Sequence, residues 1–331
     1  FGLVVRLASQ QFRFVDPCCR FEDPEYVENR VMISGLRMGG DRNFEATVDD
    51  LVAVLARAAQ QAGVTVELGA EVAQVQPGDL PQVQMTDGSR RRAELIVAAD
   101  GIHSRGRVAL NGDDAAVFTG QVAWRATVPS PDSWAPEATV TMGAGRHLVS
   151  YPIRDGARTN IVAVQERDTW TAEGWHHTDD PDALRAAFAG MQGPAAELLE
   201  RVDSVALWGL FRHPVAPVWH REGVALLGDA AHPTLPFLAQ GANMALEDAW
   251  VLAASVLRSG VAQGLPAYHA ARAERVTKII SAANGNAWKY HLRPGPIRWA
   301  AHRALSLGSR VAPGRMLGQF DWIYRHDVTA G

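Results

Sequence analysis

The chain has 331 residues, a formal net charge of −4, and 47% hydrophobic against 21% charged residues. That length asks for one large or two medium domains, and the composition is that of a globular chain rather than a disordered one. The scattered basic residues exclude the field that nucleic acid or an anionic membrane requires, and no apolar run reaches the ~18 residues of a membrane-spanning helix.

The start, "FGLVVRLASQQ", lacks a Met and carries neither the apolar core nor the cleavage site of a signal peptide. It predicts a chain incomplete, processed or engineered at that end. Cys18 and Cys19 are adjacent and have no third cysteine to pair with. They fit inert packing in a reducing, cytoplasmic setting. "FGLVVRL" and "NRVMISGLRM" can each hold a strand. "VDDLVAVLARAAQQA" has Leu51, Val54, Leu55 and Ala58 at helical spacing, with Thr47 or Asp49 as N-cap and Gly63 as its end. "VTVELG" and "EVAQVQP" alternate like strands. "QVQMTDGSRRRAELIVAAD" reads as a hairpin turning at Asp87-Gly88, with Arg90-Arg91-Arg92 in a turn and "ELIVAAD" as a strand apolar enough for burial on both faces.

From Gly120 the pattern becomes antiparallel: "GQVAWRATVP", "ATVTMGAGRHLVSYPI", "TNIVAVQER" and later "VALWGLFRHPV". Between them "DPDALRAAFAG" is a helix capped by Asp180 with Pro181 at its first position. "GVALLGD" is then a buried strand, and "GANMALEDAWVLAASVLRSG" opens a run of helices. The expected fold is α/β: a discontinuous dinucleotide-type domain in two parts, residues 1–118 and 219–331 with the C-terminal helices, interrupted by a mostly antiparallel β-sheet substrate domain at residues 119–218.

Two strand ends carry the chemistry. In "ELIVAADGIHSRGR" a strand runs into Asp100-Gly101. A carboxylate there faces the ligand crevice of an open α/β sheet, Gly101 lets backbone approach a ligand, and Arg107 offers a cation for a pyrophosphate or a bridging carboxylate. A plain Asp-Gly turn is the bland alternative. In "GVALLGDAAHPTLPFLAQGANMALEDAW" Gly228 and Asp229 repeat the arrangement, with Asp229 suited to accept from sugar hydroxyls. Pro233 and Pro236 fix the following path, and Gln240-Gly241-Ala242-Asn243 opens a helix whose first N–H groups favour negative charge.

At these residues the chain resembles the flavin-dependent aromatic hydroxylases of the para-hydroxybenzoate hydroxylase fold, nearest to salicylate, 3-hydroxybenzoate and 6-hydroxynicotinate monooxygenases. "ADGIHSRGR" is similar to that family's DG motif and "GDAAHPTLPFLAQGANMALEDA" to its GD motif. "LPAYHAARAERVTKIISAANGN" and "FDWIYRHD" resemble its C-terminal helices and tail. The resemblance implies FAD and NAD(P)H as cofactors, O2 as co-substrate and hydroxylation of a small phenolic or heteroaromatic acid. It places Asp229 on the ribityl chain and Pro236 with the Gly241 and Ala242 amides around the isoalloxazine, with Gly228 and Asn243 also counted as cofactor-binding. Asp100, Gly101 and Arg107 fall near the pyrophosphate and the nicotinamide. No metal, nucleic acid or membrane is expected, and a homodimer is left open. Two departures stand out. No GxGxxG occurs, and Val48 in "TVDDL" occupies the place of a flavin-touching Arg. They motivate an alternative, a non-catalytic truncated or remnant member that binds FAD weakly or not at all.

On the substrate side, His147, Val149 and Tyr151 alternate in "GRHLVSYPI" and so share a face, with the imidazole and phenol about 13 Å apart on a regular strand. The resemblance makes this face line the substrate pocket. His147 is then the expected base for a phenol, and Tyr151 the group that orients it. Gln240 would hydrogen-bond the substrate hydroxyl or the flavin edge, Arg125 the substrate carboxylate, and Phe237 the ring. His213 and His232 read as structural.

Overall fold

The structure, a computed structural model, describes residues 12–15, 27–33, 48–113, 116–131, 138–154, 156–169, 177–235, 240–293, 295–311, 318 and 320–329. In chain order its elements are β1 (Phe12–Val15), β2 (Val27–Ile33), α1 (Val48–Gln61), β3 (Val72–Gln76), β4 (Gln82–Met85), β5 (Arg90–Arg92), β6 (Ile96–Ala98) and α2 (Arg105–Asn111). There follow β7 (Val117–Pro129), β8 (Thr139–Gly143), β9 (Arg146–Ile153), β10 (Arg158–Glu166), β11 (His177–Asp179), α3 (Pro181–Ala187), α4 (Pro194–Glu200) and β12 (Val205–Arg212). The chain closes with β13 (His220–Arg221), β14 (Val224–Leu226), α5 (Gly241–Tyr290), α6 (Pro296–Val311) and α7 (Asp321–Tyr324). This is the expected mixed α/β chain with antiparallel sheet and C-terminal helices.

Two compact units divide it. Unit 1 comprises Phe1–Gly63, Thr119–Leu210 and Trp288–Asp327; unit 2 comprises Val64–Phe118, Phe211–Ala287 and Val328–Gly331. Unit 1 is built on an eight-stranded sheet ordered β1-β2-β8-β9-β10-β7-β12-β11. Its centre is long and regular: nine residues of β10 pair with β7, from Arg158↔Pro129 to Glu166↔Gln121. The alternation seen in the sequence becomes two faces. On one, Trp124, Leu148 and Ala163 are fully buried, and Trp124 meets Phe188 beyond α3 edge-on at 5.9 Å. Burying the larger of these side chains contributes roughly 1.5–3 kcal/mol each. Trp124 is held at both ends, its Nε1 donating to Asp179 at 2.7 Å and the Arg167 guanidinium lying 4.8 Å from its ring. Asp180 accepts from the Asp182 N–H and Pro181 sits at the first turn of α3, as the sequence indicates.

Unit 2 holds the sheets β13-β14-β6 and β3-β4-β5. β6 runs parallel to β14, Val97 opposite Ala225. The β4–β5 turn is the one foreseen: Gly88 has φ 84° and Asp87 accepts from the Ser89 N–H. Three local readings are corrected. Residues 64–69 form no strand; Val64, Val66 and Leu68 are exposed, and no described strand supplies a ladder for them. Arg90–Arg92 is not a turn but β5, an exposed edge that tolerates long charged stems. Of the two parallel strands, β14 is wholly buried, whereas Val97 at the centre of β6 is exposed because β6 ends the described sheet.

α5 is interrupted at Gly260, whose φ of 73° and ψ of 171° are non-helical. Gly264 then approaches so closely that a Cβ there would lie 2.7 Å from Val256 Cα. Glycine is required at both points, one for conformation and one for contact. Among the described residues no helix is long and apolar enough to cross a membrane. Cys18, Cys19 and the stretch "FGLVVRL" lie outside the described residues.

Candidate functional site

In unit 2 the two strand ends converge. β6 ends in Asp100 and a single 3-10 turn, Gly101–His103. Asp100 Oδ2 accepts from the N–H groups of Arg105 (2.7 Å) and Gly106 (3.3 Å), and Ser104 Oγ from that of Arg107 (2.8 Å). Together they satisfy the open start of α2. Gly101 has φ +75° with open space where a Cβ would stand. Gly106 is the residue that motif reading missed. A Cβ there would fall 2.2 Å from Ala98 Cβ, so α2 can lie this near β6 only on a glycine.

β14 ends likewise in a 3-10 turn, Gly228–Ala230. Gly228 has φ +62°, and a Cβ on it would lie 3.1 Å from Ala245 Cβ on α5. Asp229 stands exposed on this turn. Desolvation of its carboxyl, which the turn partly covers, raises its pKa above the usual carboxylate range, with the charge of His232 pulling the other way. Arg107, expected to offer a cation to a pyrophosphate, is buried. Its guanidinium donates to the carbonyls of Pro214 (2.7 Å), Ala231 (3.3 Å) and Ala230 (3.4 Å). It therefore ties the DG segment to the GD segment from behind.

The GD turn rests on a buried ionic network that the sequence did not announce. Asp248, fully buried on α5, accepts from the Gly228 N–H (3.1 Å), from Arg272 Nε (2.8 Å) and from His232 Nε2. Burial opposes its ionisation, but the contacts with His232 and Arg272 outweigh it and hold its carboxyl below the ordinary range. Glu247 takes Arg272 at 2.6 Å and Arg275 through both oxygens, at 2.8 and 2.9 Å; its pKa too is lowered, against the effect of burial. Tyr268 donates to the Leu226 carbonyl at 3.0 Å. His232 thus has the structural place foreseen for it. Gln240 is buried and its carbonyl accepts the Met244 N–H at 2.8 Å, so it caps α5. The amides of Gly241, Ala242 and Asn243 occupy the first turn, which has no partners within the helix. Pro236 and Phe237 lie outside the described residues, as does the side chain of Val48, the first residue of α1.

Unit 1 holds the other group. The register sets His147, Val164 and Ala123 in one row, Val149, Val162 and Arg125 in the next, and Tyr151, Asn160 and Thr127 in the third. All face the same side. That face grades from buried at His147, 2% exposed, to open at Tyr151, 36% exposed, and at Arg125. Arg125 Nε donates to Asn160 Oδ1 at 3.3 Å. Asn160 is itself buried, and its Nδ2 finds no acceptor among the described residues. Burial raises the Tyr151 pKa, with Arg125 pulling it down. Asn160 carries no motif and is one of several polar residues in β10, so the sequence did not single it out. His147 is pushed down to about 3 by burial and then by His291, so it is neutral at ordinary pH.

The residues present fit the flavin end of FAD. An open helix start suits an electron-rich ring edge, a carboxyl on a turn suits a hydroxylated chain, and two positive-φ glycines permit close approach. Among the described residues no cluster of His, Cys, Asp or Glu could hold a metal ion.

Comparison with known proteins agrees. Residues 24–283 match the family model described as FAD binding domain. 3-Amino-4-hydroxybenzoate 2-monooxygenase PtnB3 of Streptomyces platensis is 33% identical over 248 residues, 73% of this chain and 61% of that protein. 6-Hydroxynicotinate 3-monooxygenase of Bordetella bronchiseptica is 34% identical over 220 residues, 63% of this chain and 57% of that protein. The chain thus spans about three-fifths of the length of these relatives. Among solved structures, a salicylate hydroxylase substrate complex superposes with a TM-score of 0.71 at 25% identity, covering 85% of this chain and 73% of the other. Klebsiella pneumoniae HpxO complexed with FAD and uric acid superposes with a TM-score of 0.70 at 26% identity, covering 83% and 70%.

Proposed function

From the premise that this chain belongs to the FAD binding domain family, we propose that it works as an FAD-dependent monooxygenase that uses NAD(P)H and O2 to hydroxylate a small phenolic or heteroaromatic acid. The observation that carries the reading is the GD turn with its helix: Gly228 and Asp229 at the end of β14, followed by the open first turn of α5. FAD, when bound, supplies the redox and oxygen chemistry. The chain's own residues position and polarise. Asp229 accepts from hydroxyls of the ribityl chain. Gly241, Ala242 and Asn243 set their amides toward negative charge on the ring, and Gln240 holds the mouth of the helix. Pro236 and Phe237 are assigned by motif to the ring wall and the substrate. Gly101 gives the cofactor room, while Asp100 and Arg107 hold the two turns in shape rather than touching it.

For the substrate, Arg125, with Asn160 beside it, binds the carboxylate, and Tyr151 orients the ring. Burial makes His147 a weak base before substrate binds, not one poised near working pH. It accepts the phenol proton because the phenolate formed beside it offsets that burial, and the phenolate makes the ring a better nucleophile. The aromatic acids named in the relatives above belong to this substrate class. A calorimetric titration with FAD, then NADH consumption with hydroxybenzoates and hydroxynicotinates, tests the reading. Saturable FAD binding and substrate-stimulated oxidation are expected; absence of FAD binding refutes it. A remnant that lacks cofactor stands second. It draws only on the missing GxGxxG and on Val48, and the family match does not favour it.

A further inference from the structure

Unit 1 contains a row of titratable groups that the reading above leaves largely unused. His147 Nδ1 and His291 Nε2 lie 2.7 Å apart, and His291 Nδ1 lies 3.0 Å from Glu166 Oε1. The row runs from the interior outward: the His291 side chain is 3% exposed, that of Glu166 44%. The β8–β9 turn holds it in place. The Gly145 N–H donates to the His291 carbonyl at 3.2 Å, and the Gly145 carbonyl accepts from the Glu166 N–H at 2.8 Å. Gly145 has φ +65°, and a Cβ on it would come within 3.2 Å of Glu166 Oε2. Glycine there seats the carboxylate.

The direction of the hydrogen bonds follows from the chemistry of their ends. A carboxylate only accepts, so His291 Nδ1 carries its hydrogen. Burial keeps the pKa of His291 below the ordinary imidazole value despite the opposing pull of Glu166. The neutral ring therefore has an acceptor at Nε2, and the atom facing it, His147 Nδ1, must donate. We propose that Glu166, acting through His291, fixes His147 in the Nδ1–H tautomer and so makes Nε2 its proton-accepting atom. Both are positioning residues, and the catalytic consequence rests on the reading of His147 as the base for a phenol.

Acid then acts in an unusual way. A protonated His291 donates from both nitrogens, so His147 Nδ1 must accept and its hydrogen moves to Nε2. The acceptor is lost without any charge on His147. Among the described residues, Tyr290, whose ring centroid is 5.3 Å from that of His147, and Tyr324 of α7 beside it also titrate near the pair. Burial raises the pKa of both, Tyr324 to about 12, so neither ionises in this range.

Nitrogen-15 NMR of the full chain labelled at histidine, with FAD added, reads the tautomer directly; a His147→Gln variant assigns the signals. At neutral pH the expected pattern is Nδ1 protonated and Nε2 bare. Glu166→Gln, whose amide can accept or donate, should give roughly an even mixture. In the unaltered chain, acid should move the His147 hydrogen to Nε2 in step with protonation of His291. A protonated Nε2 at neutral pH, or a His147 pattern unchanged in Glu166→Gln, overturns the proposal. The phenolate absorbance of bound 4-hydroxybenzoate separates the two claims. If His147→Gln leaves that band intact while the NMR pattern is as expected, the base role fails and the tautomer assignment stands.

Discussion

Replacing Asp248 by alanine would remove the acceptor shared by the Gly228 N–H, His232 and Arg272. Taking away one member of a buried ion pair costs about 3–5 kcal/mol, because the partner charge stays behind without compensation. Arg272 is 1% exposed but keeps Glu247 at 2.6 Å, which argues for the lower half of that range. The Gly228 N–H then lacks its acceptor, a further cost of about 1–3 kcal/mol that entering water offsets in part. The net expectation is a loss of about 4 kcal/mol, read as a lowered urea midpoint for unit 2. Asp248→Asn, which keeps the volume and loses the charge, should lose about half as much. The sign with pH is fixed. A carboxyl held below its free value of 3.8 stabilises the fold when ionised, so its contribution is present above that pH and fades as pH falls through the lower folded value. The unaltered chain should therefore lose stability below about pH 4 more steeply than Asp248→Ala. Two variants both within about 1 kcal/mol of the parent would refute the view that this network holds the GD turn.

Gly106→Val should separate α2 from β6, since even a Cβ would sit 2.2 Å from Ala98; overpacking of this kind costs about 1–3 kcal/mol, and an unchanged thermal midpoint would contradict the close contact. Asn160→Leu removes the Nδ2 donor beside Arg125, together with the oxygen that accepts from Arg125 Nε, while preserving bulk. It should raise KM for a carboxylate substrate about tenfold and leave KM for the corresponding amide nearly unchanged, equal effects on both arguing against a carboxylate subsite.

Local chemistry made much of this chain readable. Asp180-Pro181 marked the start of α3, Asp87-Gly88 the hairpin, and the two-residue period of a strand through "GRHLVSYPI" the shared face of His147 and Tyr151. The GD stretch was legible because its backbone demands, a positive φ at Gly228 and an open helix start at Gly241, limit which residues can stand there. What escaped depended on distant partners. Residues 64–69 alternate as a strand would, yet alternation makes no ladder without a neighbour. Arg107 looked like a free cation until carbonyls more than a hundred residues away were seen to take its donors. His291 and Glu166 carry no motif; only the register of β8, β9 and β10 and the return of the chain after α5 bring them to His147.

The reach of Arg107, to carbonyls 107 and 123 positions along the chain, also sets an order of assembly. Closing an unstructured loop of that length costs about 4 kcal/mol beyond the constant for ring formation. During synthesis β6 and α2 emerge first and cannot pair until β14 has been made. The strands β7 to β13 intervene between them in the chain. The β6–β14 pair, and with it the seat of Arg107, is thereby a long-range contact that only the later part of the chain can complete.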